Sequence, residues 1–214
     1  MSFFSRRPSQ ESITKATHLA ERGTDLYLDY IRQPAAYKIP QLLEAIRCLT
    51  SALEVLSETE FPREWALTQN NLGGCYRNLP TANKRDNVTK AIEHYNAALR
   101  AYKALGLRDR WASTQYNLGN AYRDLPTDDR AERDRKAIQC YKSALEVRTE
   151  QAYPLEWART LQALGAVYAG WSTGDPKGAL QQNLWVKMPS GLGRQCLCVQ
   201  LPWQDFRRLG LGVL

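Results

Sequence analysis

Apolar and polar positions between about residues 59 and 170 follow a helical rhythm that restarts every 46 residues. Trp65, Leu72 and Tyr76 are spaced seven and four apart, which places them on one face of a helix. The same face returns as Trp111, Leu118 and Tyr122, and again as Trp157, Leu164 and Tyr168. Gly73, Gly119 and Gly165 sit beside it, inside the helix, where glycine costs about 1 kcal/mol relative to alanine. A cost repeated in register implies a purpose: without a Cβ, a neighbouring helix can come close. A second helix carries Ala91, Tyr95, Ala98 and Leu99, repeated as Ala137, Tyr141, Ala144 and Leu145. Here small residues mark the close approach and an aromatic fills the gap.

Between these two helices lie the polar segments PTANKRDN and PTDDRAERD, opened by Pro80 and Pro126, which cannot continue a helical hydrogen-bond ladder. Pro62 and Pro154 suit the first turn of the next helix, where a missing N–H is not needed. Each unit therefore reads as helix, polar loop, helix, short turn. Fixed-period copies of such a unit predict an all-α fold, an α-solenoid of stacked antiparallel hairpins in which each copy lends its neighbour a dry face.

This rhythm divides the chain. Residues 1–11 read as a flexible tail. Residues 12–58 form a degenerate capping repeat, with helices over about 12–33 and 40–58. In it, Leu19, Tyr30 and Pro34 fall 46 before Trp65, Tyr76 and Pro80, but Tyr27 stands where the glycine belongs. Residues 59–105 and 106–152 are full repeats. Residues 153–187 form a partial one, in which STGDPKGALQQNLW begins like a second helix. Residues 188–214, interrupted by Pro189, Gly191 and Gly193, resemble nothing upstream. They read as a divergent or disordered tail, or as sequence from a truncated or frame-shifted gene, with the second reading favoured.

Charge and chemistry narrow the function. The net charge of +7 is spread along the chain: 0 over residues 1–58, +3 over 59–104, +1 over 105–150 and +3 over 151–214. Bases are mixed with acids, and most aromatics fall at packing positions, which argues against a nucleic-acid groove. No apolar run approaches the roughly 20 residues that span a bilayer, and the start of the chain lacks a secretory pattern. A cytoplasmic protein is expected, with no cofactor. Cys48, His94 and Cys140 occupy one repeat position. Equivalent positions in successive hairpins lie about a repeat apart, too far for a shared metal, so no metal site is expected. Cys196 and Cys198 form an isolated C-x-C. His18 and His94 are the only histidines, and no phosphate loop, dinucleotide fingerprint or nucleophile elbow surrounds them. The chain reads as an interaction scaffold, not an enzyme.

Leu72–Gly73 with Tyr76, Leu118–Gly119 with Tyr122, and Leu164–Gly165 with Tyr168, joined by Ala91, Tyr95 and Ala98, resemble tetratricopeptide repeats over roughly residues 12–185. The unit is longer than the usual form. The phrases EWALTQNNLG and DRWASTQYNLGNAY are similar to the elongated repeats of bacterial, especially cyanobacterial, proteins that end in a caspase-like CHAT peptidase domain. The resemblance implies a right-handed solenoid that binds a protein or an extended peptide. It also implies an alternative, a regulatory or sensor arm detached from a CHAT-type peptidase that would then be its partner.

The face opposite the packing stripe is the expected binding surface. It offers Asn70, Asn71, Gly74, Arg77 and Asn78 in one repeat and Tyr116, Asn117, Asn120, Arg123 and Asp124 in the next. Arginines flanked by amides can hold the backbone and carboxylates of a peptide; alternatively, they complement the negative ends of their helices. The third repeat has Ala169 in their place.

Overall fold

The computed structural model describes residues 7–32, 38–80, 82–171, 181–187 and 196–202. It divides into two compact units, residues 1–107 and 108–214.

The first unit holds four helices: α1 (Gln10–Arg32), α2 (Ile39–Leu53), α3 (Pro62–Asn78) and α4 (Lys84–Ala104). The second holds α5 (Arg108–Asp124), α6 (Arg130–Leu145) and α7 (Pro154–Trp171), then strands β1 (Gln181–Lys187) and β2 (Cys196–Pro202). Pro62, Arg108 and Pro154 open α3, α5 and α7 at intervals of 46, and Lys84 and Arg130 open α4 and α6 at the same interval. Each helix packs on the next within its unit, and α1 also meets α3 as α5 meets α7. The pairs are antiparallel: Gln69 lies by His94, Gly73 by Tyr95 and Ala91, and Leu79 by Asn87.

Glycine fixes the closeness of each pair. A Cβ at Gly119 would stand 2.6 Å from the ring of Tyr141, and one at Gly73 would stand 3.0 Å from that of Tyr95. Both tyrosines are essentially fully buried, so neither ring has room to withdraw. In the first hairpin this role belongs to Gly23, whose Cβ would meet Leu49 at 2.7 Å. Leu49 is the counterpart of Tyr95, but Gly23 is four residues ahead of the counterpart of Gly73. The first hairpin thus has one extra helical turn between its contact points. Tyr27, which occupies the glycine's expected place, instead lies against Gly74 of α3, where a Cβ would collide with its hydroxyl.

The buried clusters follow the pattern. Tyr30, Leu42, Ala45, Leu49, Leu72 and Cys75 join α1, α2 and α3 in the first unit. Tyr141, Leu145, Trp157, Leu161, Leu164 and Tyr168 join α6 to α7 in the second, with Tyr116 and Tyr122 of α5 against them. Ala91, Ala98, Ala137 and Ala144 are wholly buried. Trp157 is buried, whereas Trp65 and Trp111 are only half-buried. Thr68, Thr114 and Thr160 are buried at the 46-residue interval; each hydroxyl donates to the carbonyl four residues back, which removes the cost of sequestering it.

The turns between hairpins differ for a local reason. After α2 and α6, the hydroxyls of Ser57 and Thr149 accept from the backbone N–H groups of Glu60 and Ala152 and close the turn that follows the helix. Lys103 holds the equivalent place in α4, so that helix continues to Gly106, which has φ 68°. The Leu107 N–H then reaches the Tyr102 carbonyl at 3.0 Å, a glycine-terminated end that suits the left-handed conformation. At α6, Asp129 accepts from the Glu132 N–H at 2.9 Å and caps the helix start.

The second helix expected after α7 does not form over residues 181–187. They are β1, paired antiparallel with β2 from Gln181–Pro202 to Lys187–Cys196. The rest of the divergent tail, residues 188–195 and 203–214, lies outside the described residues, as do residues 1–6. No helix among the described residues is long and apolar enough to cross a membrane.

Candidate interaction surface

The polar faces of α3 and α5 sort into two kinds of residue. In α3, Asn71 is 6% exposed, and its amide donates to the Thr24 hydroxyl of α1 at 2.9 Å. Asn70 in turn donates to the Asn71 carbonyl oxygen at 3.2 Å. Asn71 therefore ties α3 to α1 and does not present itself to a partner. In α5, Asn120 is 9% exposed and accepts from the Tyr141 hydroxyl at 2.9 Å. It too belongs to the interior. Both residues were expected on the binding surface; a buried amide that completes its neighbour's hydrogen bonding has already spent its polar groups. Gly74 makes room for Tyr27 and adds no surface of its own.

The others stand nearer solvent. Asn70, Arg77 and Asn78 are half-buried on α3, as are Tyr116, Asn117 and Asp124 on α5, and Arg123 is exposed. The Asn78 amide donates to the Gly74 carbonyl at 2.8 Å, and its own carbonyl accepts from the Tyr30 hydroxyl at 3.4 Å. Arg77 and Arg123 lie in the last turns of their helices, where a cation is favoured by the helix dipole. Arg77 also acts on Tyr27, whose burial pushes its hydroxyl up to about 12.

A second cation accompanies each arginine. Lys90 stands 5.3 Å from the ring centre of Tyr76, and Lys136 stands 5.7 Å from that of Tyr122. These lysines are 46 apart and next to the alanines that open the second-helix pattern, so their recurrence is visible in the sequence. The ring of Tyr76 also stacks on His94, with centroids 5.5 Å apart and planes 3° from parallel. His94 Nδ1 meets the Gln69 side-chain oxygen at 2.6 Å. Burial lowers the His94 pKa below its usual value; Glu93 opposes this and Lys90 adds to it.

The cysteines are packing residues. Cys48, Cys75 and Cys140 are buried and free. Burial pushes the Cys75 and Cys140 thiols up to about 12 and raises that of Cys48, near the Glu44 carboxylate at 3.7 Å. A protonated thiol is a poor nucleophile. Among the described residues, no three His, Cys, Asp or Glu side chains gather to hold a metal.

The first helix has a different surface. Allowing for its extra turn, His18, Glu21 and Asp25 of α1 match Thr68, Asn71 and Cys75 of α3. All three are exposed, whereas their α3 counterparts are buried. An open groove of about 450 Å³ runs over them.

The chain matches no protein-family model, and no curated protein is significantly similar to it.

Proposed function

We propose that this chain is a tetratricopeptide-type scaffold, a right-handed stack of hairpins, in which the outward face of α3 in the first unit and that of α5 in the second each bind a protein or an extended peptide. The observation that carries this reading is the coincidence of two registers. The helices restart every 46 residues, and so do the solvent-facing cations: Arg77 with Lys90, then Arg123 with Lys136. Guanidinium forks pair with the carboxylates and carbonyls of a peptide.

Charge reversal tests the reading. The double variant Arg77→Glu, Arg123→Glu should fold like the parent by circular dichroism and bind a partner identified by affinity capture at least about tenfold more weakly. Unchanged affinity in the double variant contradicts the proposed surface.

A further inference from the structure

Arg148 is where the second unit departs from the chemistry of its own repeat. The equivalent residues are Leu56 and Tyr102, both buried, and Arg148 is just as hidden at 6% exposure. It leaves the end of α6 and enters the seam between α5 and α7. There Nη1 donates to the Thr160 hydroxyl at 3.3 Å and Nη2 to the Ser113 hydroxyl at 3.0 Å. The guanidinium carbon lies 5.3 Å from the ring centre of Tyr116. Nε finds no hydrogen-bond partner among the described residues.

A guanidinium has five N–H donors, and these hydroxyl contacts occupy two. Hydroxyls and an aromatic face soften a charge but do not neutralise it. Glu156 and Asp109 act on the group from a distance, and neither forms an ion pair with it. A buried cation without a carboxylate in contact is costly, and an apolar residue of like volume would pack there at no loss. The charge of Arg148 is therefore left uncompensated by the side chains that touch it. Two of its contacts, Ser113 and Tyr116, are half-buried residues of α5, the helix read above as meeting a partner. A compensating charge can arrive from that side.

We propose that Arg148 is the specificity-determining cation of the α5 face and selects a partner segment whose carboxylate side chain reaches past Tyr116 and Ser113. This rests on the peptide-binding reading of that face. The carboxylate accepts from the unspent guanidinium donors, and Tyr116 covers the pair from water. Arg123, exposed at the other end of the helix, attracts acidic segments; Arg148 discriminates a carboxylate from its amide, because only the charged group compensates the buried cation.

The probe is a blocked tetraglutamate peptide, with tetraglutamine as its control, titrated into the full chain labelled at arginine. The Nε–H resonance of Arg148 should shift saturably with tetraglutamate and stay in place with tetraglutamine. Arg148→Met should keep the parent's helical signal and bind tetraglutamate about tenfold more weakly or worse, while Arg148→Lys keeps part of the affinity. No shift, an equal shift with both peptides, or equal affinity in Arg148→Met overturns the proposal. Should Arg148→Met fail to fold, the wild-type titration and Arg148→Lys decide it alone. A captured partner that still binds Arg148→Met but not Arg77→Glu, Arg123→Glu would sink Arg148 and spare the surface. The reverse pattern would spare the carboxylate site and sink the surface.

Discussion

A glycine in a helix is a statement about its neighbour. Gly73 and Gly119 were legible from their recurrence, and the structure supplies the reason: the rings of Tyr95 and Tyr141 occupy the space that a Cβ would need. Gly119→Ala should therefore destabilise the protein by about 1–3 kcal/mol, the usual cost of overfilling a tight interior, despite alanine's better helix propensity. Gly170, also helical, faces open space, so Gly170→Ala should leave stability unchanged or raise it by up to about 1 kcal/mol. Thermal unfolding of the pair separates contact from propensity; two substitutions of the same sign would contradict the account. Gly23 was not legible in this way. Its register depends on an extra turn in α1, and a fixed 46-residue offset points to Tyr27 instead. The recurring Thr68, Thr114 and Thr160 also escaped notice, because a buried hydroxyl bonded within its own helix reads from sequence as a surface residue.

At the scale of elements, the starts of α3 and α7 were legible from Pro62 and Pro154, and the ends of α3 and α5 from the loop prolines at 80 and 126. The ends of α2, α4 and α6 were less so, since one side chain separates a turn closed by a hydroxyl, as at Ser57, from a helix that runs on to a glycine, as at Gly106. The segment Gln181–Lys187 was misjudged for a related reason: a short run such as QQNLWVK lacks the length that separates a helix from a strand. The contact of α3 with α4 carries its own pH dependence. His94 is clamped between Tyr76 and Gln69, and burial holds its pKa below the unfolded value of about 6.5. The unfolded chain therefore takes up the proton first. The stability contributed by neutral His94 is present above pH 6.5 and is lost as pH falls toward the folded pKa. The parent should lose more thermal stability between pH 7.5 and 5 than His94→Gln; parallel pH profiles for the two proteins would show that the histidine's environment is not as described.

For the molecule as a whole, the sequence made the repeat evident and the site only partly so. Of the ten residues expected on the binding faces, Asn71 and Asn120 hold helices together, because an amide one position around the helix turns from solvent into the seam. Arg148 carries no signal in the sequence, since a charged residue at the end of a helix pattern reads as solvated. The exposed His18, Glu21 and Asp25 give α1 a polar face where α3 has a packed one.

The claim beneath all of this is that hairpins of one kind follow one another in a 46-residue phase, and excision tests it most directly. Removing residues 108–153 joins Leu107 to Pro154, two positions of matching phase. The shortened chain should keep a helical circular dichroism spectrum and unfold in one cooperative transition. Removing residues 108–148, five short of a period, should not. A shortened chain that collapses without cooperative unfolding in both cases would contradict the account.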